Sequence, residues 1–316
     1  MITVLTGGTG GAKFVDGLRR VVPPQELTII VNTGDDFEWW GLHISPDIDS
    51  ITYVLADLLS KDRGWGVDGD TFQCLESMRR LGQPSWFQIG DKDLATHLFR
   101  TQLIRAGKNL TEATAQITHG LGIKATVLPM SDSQVETRVT TPDGEISFQD
   151  YFVKRRYKDQ VISVRFAGAE QAKPANGVIE AILKADTVLF APSNPITSIG
   201  PILAVPGIRD ALKQTEAYVA AVSPIVGDAP VSGPAGALMA AQGLPVSIDG
   251  VAQAYQDFLN ALVVDSADEK RAAHLQQSGL QVRCMNTIMQ TVDDRTELAK
   301  DVLSVVAHAK RLTAAS

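Results

Sequence analysis

The segment TGGTGGAKF, residues 6–14, decides how this chain begins to fold, and it holds four glycines in nine positions. Glycine loses more conformational freedom on folding than any other residue, so such a cluster needs a compensating reason. A short apolar run at 2–5 precedes it, and apolar residues at helical spacing follow it as far as Pro23. A second apolar run at 27–31 completes a predicted strand–helix–strand unit.

The C-terminal half repeats this alternation of helices and strands. We predict strands at 187–190, 218–222, 244–248 and 261–264, the last being the final strand of the chain. Their continuous apolar character is typical of parallel strands that are covered on both faces. The pattern therefore predicts an α/β fold with a doubly wound, mostly parallel, Rossmann-like sheet.

The middle of the chain departs from this alternation. Three helices are predicted there, at 51–59, 94–105 and 112–121. Thr111 is the expected N-cap of the third helix, and a β-hairpin with a Pro-Asp-Gly turn is expected across 135–151. We expect a single α/β domain over residues 1–316, in which residues 50–160 form a helical elaboration plus a hairpin that covers the ligand-binding edge.

Composition narrows the class of protein. The chain has 316 residues, a net charge of −7 and 44% hydrophobic residues, and this acidic balance argues against nucleic-acid binding. Cys74 and Cys284 are its only cysteines, which excludes a disulfide scaffold and suits a reducing cytoplasm. No apolar run approaches the roughly 20 residues of a membrane span. We expect a cytoplasmic protein with no signal peptide and with neither a membrane nor a nucleic acid as partner.

The glycine segment predicts a phosphate site because it lies between a strand and a helix. Backbone N–H groups and the helix dipole favour an anion there. A Walker A motif is excluded, since Phe14 follows Lys13 where that motif needs Ser or Thr. Gly8 and Gly10 fit the start of the dinucleotide fingerprint, but Lys13 stands in place of its third glycine. A dinucleotide-dependent oxidoreductase therefore stays open as an alternative.

Four aspartates follow the second strand, in the stretch NTGDDFEWWGLHISPDIDS at 32–50. They are Asp35, Asp36, Asp47 and Asp49. Open α/β sheets bind ligands at the carboxyl ends of their strands, and magnesium takes carboxylate and phosphate oxygens together. We therefore predict a magnesium site with Asp35, Asp36 and Asp49 as ligands. Helix capping is the alternative for Asp47 and for Asp49, since a helix is expected to begin near Ser50.

Six segments resemble, in chain order, the 2-phospho-L-lactate transferases of deazaflavin coenzyme biosynthesis, the CofD family. They are GGTGGAKF, NTGDDFEWWGLHISPDIDS, IGDKDLATH, LPMSD, PSNPITSIGPI and SPIVGDAPVSGPAG. The resemblance implies a donor in which a small phosphorylated acid is joined through a diphosphate to guanosine. The terminal ribityl hydroxyl of the deazaflavin Fo would attack the phosphorus that bears the acid, GMP would leave, and magnesium would assist. The resemblance also suggests a homodimer.

The resemblance further implies roles for single residues. Asp49 is expected to point into the cleft and to act on the ribityl hydroxyl as the catalytic residue. Gln88 stands where some members have a basic residue, and Lys92 follows four positions later, so both are expected to bind Fo. The expected contacts to guanosine diphosphate are Gly7, Gly8, Thr9, Gly10, Gly11, Lys13, Ser193 and Asn194. A non-catalytic sugar-nucleotide-binding regulator, which would share the glycine segment, is the second alternative.

Overall fold

The computed structural model describes residues 1–314 and shows strands alternating with helices. The first half contains β1 (Ile2–Thr6), α1 (Gly8–Val21), β2 (Leu27–Val31), β3 (Phe37–Trp39), β4 (Leu42–Ile44), α2 (Pro46–Leu55), α3 (Gln73–Arg80), α4 (Asp91–Arg105), α5 (Leu110–Gly120), β5 (Thr126–Pro129), β6 (Glu136–Thr141) and β7 (Gly144–Ser147). The second half contains β8 (Ser163–Ala167), α6 (Val178–Leu183), β9 (Thr187–Phe190), α7 (Gly200–Ala204), α8 (Ile208–Gln214), β10 (Tyr218–Val222), β11 (Ile225–Val226), β12 (Ala229–Pro230), α9 (Ala235–Ala241), α10 (Ile248–Tyr255), β13 (Ala261–Asp265), α11 (Glu269–Gln277), β14 (Gln281–Met285) and α12 (Val292–Ala314).

Seven strands form the central sheet, in the order β14-β13-β10-β9-β1-β2-β5. Every adjacent pair in it is parallel. The chain builds outward from β1 through β2 to β5 and then returns to β9 on the other side of β1. The winding therefore reverses between β1 and β9, and the predicted doubly wound, parallel α/β sheet is confirmed.

Helices cover both faces of this sheet, which explains why its strands are continuously apolar. The neighbouring residues Val4 and Leu5 of β1 are both fully buried, and they enter two different apolar cores. Helices α1 and α12 pack in the Val4 core, and helices α6, α8 and α10 pack in the Leu5 core. The carboxyl-end loops of β1, β2 and β9 are thus anchored to a well-packed sheet.

Several predicted boundaries in the C-terminal half are wrong. Residues 244–248 form no strand, because Ser247 is the N-cap of α10 and accepts a hydrogen bond from the Asp249 N–H at 3.2 Å. The strand at Ala261–Asp265 is also not the last one, since β14 extends the sheet beyond it.

Helix α5 begins earlier than predicted. Asn109 is its N-cap rather than Thr111, and the Asn109 side chain accepts from the Glu112 N–H at 2.8 Å. Glu112 returns the bond by accepting from the Asn109 N–H at 3.0 Å, which completes a capping box. The Thr111 hydroxyl instead donates to Asp132 at 2.8 Å.

The middle of the chain contains more strands than predicted. The expected hairpin is confirmed as β6 and β7, and β8 adds a third antiparallel strand to it. Strand β7 ends at Ser147, and a π-helical segment, Asp150–Lys154, follows it. Strands β3 and β4 form a second hairpin inside the acidic stretch. Residues 50–160 also contribute β5 to the central sheet, so they are not an elaboration alone.

Within residues 1–314, no helix is both long enough and apolar enough to cross a membrane.

Candidate active site at the β1–β9 switch point

The glycine segment lies at the point where the winding of the sheet reverses. In open α/β sheets, ligands bind outside the carboxyl ends of the strands at this point. Strand β1 ends at Thr6, and helix α1 begins at Gly8 with Gly7 as its N-cap. The segment is therefore mostly the first turn of a helix rather than a free loop, and its N–H groups belong to a helix N-terminus.

Two of the glycines are needed for packing against neighbouring side chains and loops. A Cβ added at Gly10 would lie 2.5 Å from the carbonyl oxygen of Pro192, and one added at Gly11 would overlap the Thr6 hydroxyl. Gly8 differs, because its φ is +68° and a Cβ there would approach nothing closer than 3.4 Å. Gly8 therefore supplies a left-handed backbone conformation that favours glycine, whereas Gly10 and Gly11 let α1 pack against its surroundings.

The loop after β9 is tied to the glycine turn. The Ser193 hydroxyl donates to the Gly7 carbonyl at 2.7 Å, so this predicted nucleotide contact also joins two loops. Asn194 turns inward on its own loop, where its Oδ1 accepts from the Ile196 N–H at 2.9 Å. Thr9 is exposed and Lys13 is half-buried on the first two turns of α1. These residues surround the helix N-terminus, as the sequence predicted for a phosphate site.

Asp47 contacts this helix N-terminus directly, and Asn32 joins Asp47 to Asp35. The Asp47 Oδ1 accepts from the Gly8 N–H at 2.8 Å. The Asn32 side-chain amide donates to the Asp47 Oδ2 at 2.9 Å and to the Asp35 Oδ2 at 3.1 Å. The carboxylate that joins the glycine turn to the acidic stretch is thus Asp47, which the sequence analysis left open to a capping role.

Like charges crowd together in this cluster. Burial, followed by the nearby Asp47 carboxylate, raises the pKa of Asp35 well above its usual range. Burial also raises the pKa of Asp47 to about 6, against the opposing effect of its hydrogen bonds from Asn32 and Gly8. The pKa of Asp36 is raised by burial as well, even though His43 lies 3.2 Å from its Oδ2. A cation would relieve all three shifts.

The cluster also contains a carboxylate oxygen without a partner. The Thr137 hydroxyl lies near the Asp35 carboxylate and lowers its pKa against the effect of burial. The Asp36 Oδ1 is buried and accepts no hydrogen bond within the described part of the chain. A buried carboxylate oxygen left this way is unfavourable unless a cation or a donor reaches it. A hard divalent cation would satisfy such an oxygen, although among the described residues only Asp49, Asp93 and His97 bring three ligand atoms within 4.8 Å of one another.

Asp49 borders this cluster, and its carboxylate faces α4 instead of the glycine turn to which it was expected to be directed. Its carboxylate is buried and forms a two-point ion pair with Arg100 of α4, whose Nη1 lies 3.2 Å from the Asp49 Oδ2. Arg100 is 0% exposed, and its Nη1 also lies 3.3 Å from the His97 Nδ1. The far side of His97 faces Asp93 at 3.2 Å.

The group of Asp49, Asp93 and His97 has the spacing of a metal site. It already holds the guanidinium of Arg100, which supplies the positive charge that a metal would bring. Although burial disfavours the charged form, Asp49 holds the pKa of Arg100 above its usual value. This network is therefore an internal ion pair, in which the Asp49 carboxylate is already engaged by a guanidinium.

The two residues expected to bind Fo are both exposed and lie outside the acidic cluster. Gln88 follows Phe87 in the loop before α4. The Lys92 ammonium donates to the Asp68 carbonyl at 3.0 Å, so its charge is directed to a neighbouring loop. Sequence reasoning missed Asn32 and Arg100, because their partners are identified only when distant segments are folded together.

A cavity of about 660 Å³ lies outside this site. Its walls come from the β11–β12 hairpin, the start of α10 and helix α11, not from the loops that follow β1, β2 and β9. Its lining residues are Asp228, Pro245, Val246, Ser247, Asp249, Lys270, Arg271 and His274. Arg271 is paired with Asp228 at 2.7 Å, so the cavity's charges are partly satisfied from within.

Comparison with known proteins identifies the family. Residues 2–309 match the family model described as 2-phospho-L-lactate transferase CofD. The chain belongs to the CofD family. It is a transferase, and the family resemblance seen in the sequence is confirmed over nearly its whole length.

Curated CofD relatives cover almost the full chain. A 2-phospho-L-lactate transferase from Methanosarcina acetivorans is 44% identical over 96% of this chain and 98% of its own length. One from Methanocaldococcus jannaschii is 44% identical over 96% of this chain and 97% of its own length. A phosphoenolpyruvate transferase from Streptomyces griseus is 41% identical over 98% of this chain and 99% of its own length.

Solved structures share the fold at much lower identity. A member of the UPF0052 family from Bacillus halodurans superposes with a TM-score of 0.65 at 17% identity, covering 96% of this chain and 99% of that one. This likeness supports the α/β architecture of the CofD chain and nothing about its substrate.

Proposed function

We propose that this CofD protein transfers a phosphorylated small acid from a guanosine diphosphate-linked donor to the terminal ribityl hydroxyl of the deazaflavin Fo. The hydroxyl oxygen forms a bond to the phosphorus that bears the acid, the bond to the bridging oxygen breaks, and GMP leaves. The observation that carries this proposal is the hydrogen bond from Gly8 to Asp47, which places a carboxylate cluster at a helix N-terminus. A phosphate-binding turn beside metal-binding carboxylates is what phosphoryl transfer requires.

Magnesium is the cofactor that we propose for this cluster. Asp35 and Asp47 would hold it, and Asp36 lies beside them with one unpartnered buried oxygen. When bound, magnesium would neutralise charge that develops on the diphosphate as GMP leaves. The fit rests on three crowded carboxyl groups whose pKa values are raised by burial.

The chain's own residues would bind and orient the donor. The first-turn N–H groups of α1 favour an anion, and Lys13 offers a cation on the same helix. Ser193 joins the glycine turn to the loop after β9, and this contact supports the proposal that the turn is held in place before the donor binds. Contacts from Asn194 and Thr9 to guanosine diphosphate stay predictions, as do contacts from Gln88 and Lys92 to Fo.

Catalysis by Asp49 also stays a prediction. Its carboxylate is shared with Arg100, so it would act on the ribityl hydroxyl only if Arg100 leaves one oxygen to the substrate. The homodimer and the cytoplasmic location likewise remain predictions.

The names of the relatives suggest which acids to test. One relative is a 2-phospho-L-lactate transferase and another is a phosphoenolpyruvate transferase. We would offer the purified protein Fo, magnesium and both guanosine diphosphate-linked donors together, and measure product masses. A product with the mass of Fo plus one phosphorylated acid is expected, and its mass identifies the acid.

The same experiment tests the alternatives. An oxidoreductase would instead change the absorbance of an added nicotinamide cofactor and release no GMP. A non-catalytic regulator would bind the nucleotide and form no product. Either result would overturn the proposed transfer.

A further inference from the structure

A small antiparallel sheet outside the central sheet contacts the acidic stretch beside the glycine turn. It consists of β6, β7 and β8, with β6 in the middle. Buried and partly exposed residues alternate along β6, and Thr137, Val139 and Thr141 form its buried face. Val139 packs in the apolar core that contains Leu5 of β1. Strand β6 is therefore anchored to the same core as the strand that ends at the glycine turn.

Thr137 meets the turn that carries Asp35. Its backbone N–H donates to the Gly34 carbonyl oxygen at 2.6 Å. A Cβ added at Gly34 would lie 2.9 Å from the Thr137 hydroxyl and 2.8 Å from the Cβ of Pro201, near the start of α7. The turn thus lies between β6 and α7, and a larger residue than glycine at position 34 would keep it from approaching β6 this closely.

Two side chains from this part of the chain offer polar hydrogens to Asp35. Thr137 is fully buried, and its hydroxyl lies near the Asp35 carboxylate and has no hydrogen bond to any other group among the described residues. The Gln149 side-chain amide donates to the Asp35 carbonyl oxygen at 3.4 Å. Asn32, at the end of β2, donates to the Asp35 Oδ2 at 3.1 Å. Asp35 is therefore held between the central sheet and the small one.

We propose that Thr137 and Gln149 are positioning residues of the transfer reaction, which fix the orientation of the Asp35 carboxylate next to Asn32 and Asp47. Valine has nearly the shape of threonine and is equally suited to a strand, so packing alone does not account for the buried Thr137 hydroxyl. Burying a hydroxyl is unfavourable unless it has a hydrogen-bond partner, and the Asp35 carboxylate is the group within its reach. This inference rests on the proposed function and assigns a part in it to β6 and to the segment after β7.

The test compares Thr137→Val with Thr141→Val, a matched change on the same buried face of β6. The Thr141 hydroxyl donates to the Gly144 carbonyl oxygen at 2.9 Å, inside the hairpin. For each variant we would measure kcat, the KM for Fo, the KM for the guanosine diphosphate-linked donor and the midpoint of chemical denaturation. Thr137→Val should lower kcat on the order of tenfold and leave both KM values near wild type, because supporting groups act on orientation. Thr141→Val should leave kcat unchanged, whatever its stability.

Two further variants separate the hydroxyl from its packing. Thr137→Ser keeps the hydroxyl and should restore most of kcat. Gln149→Met keeps the length of the side chain without the amide and should lower kcat several-fold, and it decides the question alone if Thr137→Val does not fold.

Wild-type kcat in a folded Thr137→Val or Gln149→Met enzyme would overturn this inference while leaving the transfer reaction intact. An equal loss of kcat in Thr137→Val and Thr137→Ser, or in Thr137→Val and Thr141→Val, would overturn it as well. A wild-type protein that forms neither GMP nor an Fo-containing product would instead overturn the proposed function, and this inference with it.

Discussion

Asp49→Asn should lower the free energy of unfolding by about 3–5 kcal/mol, because it removes the partner of a fully buried arginine. Arg100 is 0% exposed, and both of its terminal nitrogens face the Asp49 carboxylate. Asn keeps one acceptor oxygen but no charge, so the buried guanidinium would lose the carboxylate that contacts it and keep only the weaker effect of Asp36 and Asp93. Since domains are stable by only about 5–15 kcal/mol, this loss is large.

Chemical denaturation at pH 7 would measure this loss, with two further variants for comparison. Asp49→Asn combined with Arg100→Met removes the orphaned charge and should recover part of the stability. Asp257→Asn breaks a partly exposed network with Arg209 and Lys213 and should cost clearly less than Asp49→Asn, because water screens its charges.

Turnover measured on the same proteins separates the two roles of Asp49. If Asp49→Asn costs no more stability than Asp257→Asn, the ion-pair reasoning is refuted. A loss of turnover by about 100-fold in such a stable variant would then return Asp49 to direct action on the acceptor hydroxyl. Normal stability together with normal turnover would remove it from both roles.

Three further outcomes are expected. Gly10→Ala should lower stability by about 1–3 kcal/mol in thermal or chemical denaturation, because its Cβ would lie 2.5 Å from the Pro192 carbonyl oxygen; a fully stable variant would contradict this packing. Excess EDTA should abolish turnover, and calcium should restore it only in part, because its longer and looser coordination orients oxygens less well; full activity in EDTA would count against the metal. In EDTA, the free energy of unfolding of the wild type should fall as pH rises from about 4 toward 6. Over that range the folded state keeps the proton of Asp47, whose pKa is about 6, while the unfolded state has already lost it. Asp47→Asn should remove up to about 3 kcal/mol of this pH dependence, and equal slopes in the two proteins would refute the assignment.

The sequence predicts those parts of the fold that depend on local patterns. Strands β1 and β2 are mostly apolar and are joined by a segment of helical periodicity, so their pairing in one βαβ unit is predicted from local pattern and spacing. Strand β14 was missed because it lies at the sheet edge, where exposed polar residues such as Arg283 interrupt the apolar run. The false strand at 244–248 arose because Ser247 begins a helix there, and its capping bond overrides the local β character.

The candidate site was likewise predicted only in those features that depend on local sequence patterns. The sequence places the glycine turn, the aspartates and the Ser193 loop at one sheet edge, because carboxyl ends of parallel strands meet there. It does not tell Asp47 from Asp49. The side chains of residues two positions apart on a helix point in directions that differ by about 200°. Asp47 therefore faces the glycine turn while Asp49 faces α4. Only the folded chain brings Arg100, 51 positions away, to Asp49.

The central claim is that the carboxylate cluster at the glycine turn supports transfer to Fo with release of GMP. The most direct measurement is the ratio of GMP to the Fo-containing product, by chromatography and mass spectrometry, for wild type and Asp47→Asn with and without magnesium. We predict one GMP per product in the wild type, and a rate lower by roughly 100-fold in the variant or in EDTA. GMP release without an Fo product, or an undiminished rate in Asp47→Asn, would contradict the account.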